Sequence, residues 1–298
     1  MSHGFNNAEY DVGYVGKWHL AGGGTHGDNP IPAEKRAGYD DYTEFDFAAP
    51  DGYAERYSNP HVPGDPEGMP GFWYESLPGY YGMCRRIDEC FGRLVDELER
   101  QGIREETIIL FTSDHGCHFG TRNAENKRSC HEASIRVPAI LSGPGFDGGR
   151  RTRELTSLVD LPPTLLDAAG LPVPDAMEGE SIRPLIDDDP ATRTTARDEW
   201  RNEAFVQISE REIGRAIRTD RWKYSVFDPD SDPYEDARSN EYVERYLYDL
   251  RADPHERANL VGRSDYEDVA ADLRERLAAH IKHVEDVDVD IEPAPYVA

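Results

Sequence analysis

At 298 residues, 38% of them apolar, the chain can bury a core for one large α/β domain, or for a domain with a smaller annex. Its 59 acidic residues against 33 basic ones give a net charge of -26, which excludes nucleic acid and an anionic membrane surface as expected partners. No signal peptide and no apolar run of about 18 residues is visible, so the expectation is a soluble, cytoplasmic protein.

Residues 1 to 12 are polar, and Gly13-Tyr-Val-Gly16 then reads as a short strand and turn, as though the chain began partway into a fold. Residues 21 to 80 are rich in Gly, Pro, Asp and Tyr without periodicity and predict long loops, with His61 as a surface residue among prolines. From Gly82 to Arg100 the apolar positions Met83, Ile87, Phe91, Leu94 and Leu98 recur at three- and four-residue steps, and Gly102 stops them. That is an amphipathic helix. The run Thr107 to Phe111 is too short for a helix and predicts a buried strand, which drives into Ser113-Asp-His-Gly116. A second strand is expected over Val137 to Leu141, and Leu161 to Ala169, led by two prolines and closed by Gly170, predicts a short helix.

After Asp187-Asp-Asp-Pro190 the pattern changes. Ala204 to Ile208, Ile213 to Ile217, Arg221 to Val226 and Tyr246 to Leu250 read as strands joined by turns, which implies an antiparallel subdomain. A last helix is expected from Asp265 to Val284 with Val269, Leu273, Leu277 and Ile281 as its buried stripe, followed by an acidic tail, Glu285 to Ala298, that frays. The fold class is therefore α/β: a mostly parallel central sheet with flanking helices over residues 1–190, and a small antiparallel sheet-and-helix subdomain over 191–298. The four cysteines, Cys84, Cys90, Cys117 and Cys130, lack zinc-type pairing and the density of a disulfide scaffold, so they are expected to be reduced.

Asp114 and His115 fall just past the end of a core strand, where loops converge in open α/β sheets, and together they offer a hard oxygen and an imidazole nitrogen to a divalent cation. A helix N-cap aspartate beside an incidental histidine would look the same locally. Only five of the 33 basic residues are lysines, yet Lys17 lies in Gly13-Tyr-Val-Gly-Lys-Trp-His-Leu20 and Lys127 in Asn126-Lys-Arg-Ser-Cys-His-Glu-Ala-Ser-Ile-Arg-Val-Pro138. A compact point charge is not interchangeable with arginine's planar fork. The acidic, lysine-poor composition also fits work in high salt, although it could equally serve solubility.

Three motifs together resemble the sulfatase family of the alkaline-phosphatase-like superfamily: Gly16-Lys-Trp-His-Leu20, Ser113-Asp-His-Gly116, and Lys127 to Pro138. Tyr248-Asp-Leu250 with Asp253-Pro-His-Glu256 and Asn259-Leu260 resembles the family's C-terminal signature. The resemblance implies hydrolysis of sulfate monoesters, with a small-molecule or carbohydrate sulfate ester as partner. It also implies that Asp114 and His115 bind a divalent ion, calcium first, with magnesium or manganese open because imidazole is a less typical calcium ligand. Lys127 would contact the sulfate, Lys17 and His19 the nucleophile and the sulfate, and His131 the substrate. His118 and His131 would equally serve to cap a helix or pack beside Cys117 and Cys130. The family's first-strand aspartates and its Cys- or Ser-x-Pro-x-Arg nucleophile motif have no counterpart in these residues, so an N-terminally truncated member is expected. A phosphoester hydrolase of the same superfamily, or an inactive remnant or binding protein, are the competing readings.

Overall fold

The computed structural model describes residues 13–14, 41–42, 77–118, 122, 127–146 and 148–295, and the elements named here are those of the described residues. Two short strands, β1 (Gly13–Tyr14) and β2 (Asp41–Tyr42), pair in parallel. The expected loops of residues 21–80 lie almost entirely outside the described residues, as do Lys17, His19 and His61.

Helix α1 (Leu77–Gln101) begins ahead of the expected Gly82 and ends as read. Gly102 adopts a φ of 74°, its N–H donates to Glu99 O at 3.0 Å, and the Ile103 N–H donates to Leu98 O at 3.1 Å. This paired closure satisfies the last carbonyls and requires a left-handed residue, which glycine adopts without steric cost.

Strand β3 (Ile109–Thr112) pairs with β4 (Ala139–Ser142), with Ile109 opposite Ser142 and Thr112 opposite Ala139, and the single turn α2 (Glu132–Ile135) lies between them in sequence. This pair runs antiparallel. Among the described residues of this part of the chain, the parallel pairing is that of β1 with β2. The connection through α2 returns the chain in the opposite direction, where a parallel crossover would have needed to bring it back to the starting end.

Helix α3 (Leu161–Ala168) follows, with Pro162 near its start, and the Thr164 hydroxyl donates to Asp160 O at 2.6 Å. Two helices were not read from the sequence, α4 (Arg183–Ile186) and α5 (Pro190–Glu199). Asp189 caps α5, accepting from Ala191 N at 3.2 Å and Thr192 N at 3.1 Å, so the Asp-Pro step taken as a change of character is a helix start. No residue of α5 is buried, and without an apolar stripe the helical period had nothing to display.

Strands β5 (Glu203–Ile208), β6 (Ile213–Thr219), β7 (Trp222–Asp228) and β8 (Glu241–Asp249) form an antiparallel meander in chain order. Helix α6 (Glu267–Glu285) covers one face with Ala270, Leu273, Leu277 and Ile281, which pack against Ile213, Ile217, Tyr224, Val226 and Leu247. Each fully buried leucine, isoleucine or valine of this set contributes about 1.5–3 kcal/mol. The tail does not fray throughout: β9 (Asp290–Glu292) adds to β8 in parallel and buries Ile291. A single buried isoleucine between acids gives too little pattern to reveal a strand.

Strand alternation sends the other residues of β6 and β7 to the sheet's second face, where Ala216 and Ser225 meet Cys130 and Lys223 meets Glu132. Between Ser225 and Val226 the register slips. Ser225 faces Tyr246 and Val226 faces Glu244, which leaves Arg245 as the extra residue of a bulge, its guanidinium 4.2 Å from the Phe227 ring centroid. The chain divides into two compact units, one comprising the described residues up to 108 with 143–147 and 158–183, the other comprising 109–142, 148–157 and 184–298. All site residues described below belong to the second.

Candidate active site

Beyond β3 the chain turns tightly, with the Ser113 hydroxyl donating to His115 O at 2.8 Å and the His115 N–H donating to Asp114 Oδ1 at 3.0 Å. Gly116 is then drawn against α2: its N–H donates to Ser134 O at 2.7 Å, and a Cβ there would stand 2.1 Å from Ala133 O. Only glycine permits that approach. The turn presents Asp114 to solvent and leaves the His115 side chain about one-third exposed.

His115 Nδ1 lies 2.8 Å from Gly116 O, an acceptor, so Nδ1 carries the proton and donates. Its Nε2 lone pair therefore faces outward. Lys127 Nζ donates to that nitrogen at 2.8 Å, and Asp114 Oδ2 stands 3.5 Å from it. The backbone of Lys127 is itself tied, since its carbonyl lies 3.2 Å from His118 Nε2. The structure thus gathers Asp114, His115 and Lys127, from two motifs, at one strand end.

His131 sits elsewhere. It is 2% exposed, its Nδ1 lies 3.1 Å from Ser129 Oγ and its Nε2 3.2 Å from Tyr248 OH, and its ring packs on Tyr246 and Tyr248 at centroid distances of 5.0 and 5.6 Å. Burial, with help from the nearby cations of Arg122 and Lys223, pushes its pKa down to about 3, so the ring is neutral. Both ring nitrogens of His131 are thus engaged inside the protein, by Ser129 and Tyr248, the arrangement expected of a histidine packed beside Cys130. Cys130 beside it is buried, and its thiol is pushed up to about 11 by burial.

Behind these residues lies a charge network that the sequence did not reveal. Lys223 is fully buried, with Nζ 2.8 Å from Glu132 Oε1 and 2.5 Å from Glu256 Oε1. Arg218 adds a second cation at 3.3 Å from Glu132 Oε1. Burial of Glu132 opposes its ionisation, but Lys223 and Arg218 overcome it and hold the carboxyl below its usual range. Glu256 Oε2 accepts the Glu132 N–H at 2.8 Å. Two acids and two bases close the cluster, as buried charge requires. Glu256 stands within the Asp253-Pro-His-Glu signature and Lys223 is one of five lysines, so both carried a signal. Its place in an alternating strand made Lys223 look like an ordinary ladder residue.

Two side chains of the donor types a divalent ion takes stand together here, the Asp114 carboxylate and His115 Nε2, the latter engaged by Lys127 Nζ at 2.8 Å, and the described residues hold no cluster of three His, Cys, Asp or Glu donors. The hard oxygen beside an imidazole lone pair fits such an ion as part of its ligand set.

Comparison with known proteins covers most of the chain. The Sulfatase family description matches residues 20–171, and that of the N-sulphoglucosamine sulphohydrolase C-terminal region matches 120–283. Arylsulfatase K of Rattus norvegicus is 30% identical over 212 residues, which cover 68% of this chain and 35% of that protein. A solved structure in complex with its substrate D-glucosamine-2-N,6-O-disulfate is 29% identical with a TM-score of 0.57, covering 72% of this chain and 42% of that one. Phosphonate monoester hydrolase of Agrobacterium radiobacter is 28% identical with a TM-score of 0.56, covering 70% and 41%. The chain spans less than half the length of each of these relatives. With its signature residues gathered at the end of β3 and each of two family descriptions matching more than half of it, the chain belongs to the sulfatase family.

Proposed function

We propose that the chain carries the anion-holding and metal-holding part of a sulfate ester hydrolase site, with a sulfated carbohydrate as the substrate class. The observation that supports this most is the 2.8 Å approach of Lys127 Nζ to His115 Nε2 with Asp114 beside it. A sulfate ester spreads developing charge over its nonbridging oxygens, and a fixed cation next to them favours the transition state. Lys127 supplies that cation; it rests on the His115 Nε2 lone pair, which it would release, turning to the sulfate's side, when a metal ion takes that nitrogen. Sulfatases bind a divalent metal; Asp114 and His115 would hold it here, calcium being the ion proposed, and when bound it would neutralise charge on the same oxygens. Lys17 and His19, which the family motif assigns to the sulfate and the nucleophile, lie outside the described residues. The nucleophile is not among the residues assigned. The carbohydrate class is supported by the glucosamine disulfate bound in the similar solved structure.

Calorimetric titration of the protein with sodium sulfate tests the reading, with Lys127→Ala as the comparison. Saturable binding that the substitution weakens by more than about tenfold is the expected result. Equal binding by both proteins, or by neither, ends the assignment of Lys127. Titration with methylphosphonate alongside sulfate separates a sulfate site from the phosphonate chemistry of the other similar structure.

A further inference from the structure

We infer that Glu256 is a positioning residue for this site: it sets the placement of Lys127 and His115 through helix α2, although it touches neither. The inference rests on the reading of Lys127 as the sulfate-binding cation.

Both carboxylate oxygens of Glu256 are committed, Oε1 to Lys223 Nζ at 2.5 Å and Oε2 to the backbone N–H of Glu132 at 2.8 Å. The second bond fixes the first residue of α2, five positions after Lys127. The far end of the same turn is bonded to the other motif, where Ser134 O accepts the Gly116 N–H at 2.7 Å, next to His115. One turn of helix therefore joins the two segments whose side chains meet at 2.8 Å, and Glu256 fixes its start. Arg122, which lies between the two motifs in sequence, holds the same residue by its backbone, its Nη1 donating to Glu256 O at 2.6 Å.

The conformation of Glu256 fits this role. It is 3% exposed and holds a φ of 52°, a left-handed backbone that a glutamate adopts at a cost. Such a conformation persists when surrounding contacts over-determine it. Here the contacts are the Lys223 ammonium, the Glu132 N–H and the Arg122 guanidinium. A carboxylate can serve an ammonium and a backbone N–H at once with full charge on both bonds. A carboxamide keeps the shape but not the charge, and one of its two arms is a donor. Glu256→Gln therefore loosens the start of α2 while leaving the packing intact.

The experiment is a cycle of four proteins, wild type, Glu256→Gln, Lys127→Gln and the double variant, each titrated with sodium sulfate well below its unfolding midpoint. Glu256→Gln is expected to weaken binding by about tenfold, within the range of coupling inside one network, and to add nothing in the Lys127→Gln background. If Glu256→Gln fails to fold, Lys223→Gln/Glu256→Gln replaces it, since removing both charges leaves no buried charge unpaired between them. Unchanged affinity in Glu256→Gln while Lys127→Gln binds weakly overturns the positioning role alone. Equal weakening in both backgrounds overturns it too, because the effect then does not pass through Lys127. Full binding by Lys127→Gln, or none by the wild type, defeats the underlying site reading instead.

Discussion

Lys127 Nζ donates to His115 Nε2 across 2.8 Å, so the cation proposed to hold sulfate occupies the lone pair proposed to hold a metal. Anion and cation are thus expected to respond to one substitution in opposite directions. Lys127→Met should lose sulfate binding and, by removing a like charge beside Asp114 and His115, tighten calcium or manganese by a few fold, the size of exposed charge effects. Calorimetry with each ion reads both signs. Parallel loss of the two would mean that Lys127 shapes the site rather than charging it.

A second expectation concerns acid. His131 titrates at 6.5 when unfolded and near 3 when folded, so between those values the unfolded chain binds a proton that the folded one refuses. Its contribution to stability is therefore complete above about pH 6.5 and declines as pH falls toward 3, with a slope near 1.4 kcal/mol per pH unit within that window. Urea unfolding across pH 4 to 7 should give a shallower dependence for His131→Asn than for the wild type, a window set by the same linkage. Identical slopes would show that His131 is accessible to protons in the folded state.

The C-terminal packing offers a test of stability. Leu277 is 0% exposed on α6, and Leu277→Ala should cost about 2–5 kcal/mol in denaturant unfolding. Ile291→Ser on β9 should also destabilise, by about 1–3 kcal/mol, because that side chain is buried beside β8. A tail that frays would tolerate Ile291→Ser without measurable change.

Salt should stabilise the protein. With a net charge of -26, repulsion among surface carboxylates opposes the compact state, and added ions screen it over about 10 Å at 0.1 M. The thermal midpoint is expected to rise with KCl from about 0.1 M upward, since screening tightens with ionic strength. A midpoint that stays level or falls would assign the acidic surface to solubility alone.

Local pattern was enough for α1, α3, α6, β3, β4 and the strands β5 to β7, and for the second half of β8, whose first residues, Glu241 to Arg245, are largely charged. In each, the burial period, a proline start or a glycine stop is written within a few residues. The motif loop was equally legible, because Ser113-Asp-His-Gly116 sits where β3 ends and the turn chemistry is local. Helix α5 escaped because it buries nothing, and β9 escaped because its pairing partner on β8 begins at Glu241.

The sequence by itself determined which residues would carry charge and ligand-type side chains, and that Asp114, His115 and Lys127 lie close enough along the chain to be brought together. Tertiary structure decided which histidine faces solvent. His131 is engaged by Tyr248, 117 positions away, and Glu132 receives its N–H partner from Glu256, 124 positions away. Backbone propensities and turn hydrogen bonds act over a few residues, so they are readable in order. Burial and charge pairing depend on which strand faces cover which loop, and that is set only when the sheet's second face closes over Cys130, His131 and Glu132.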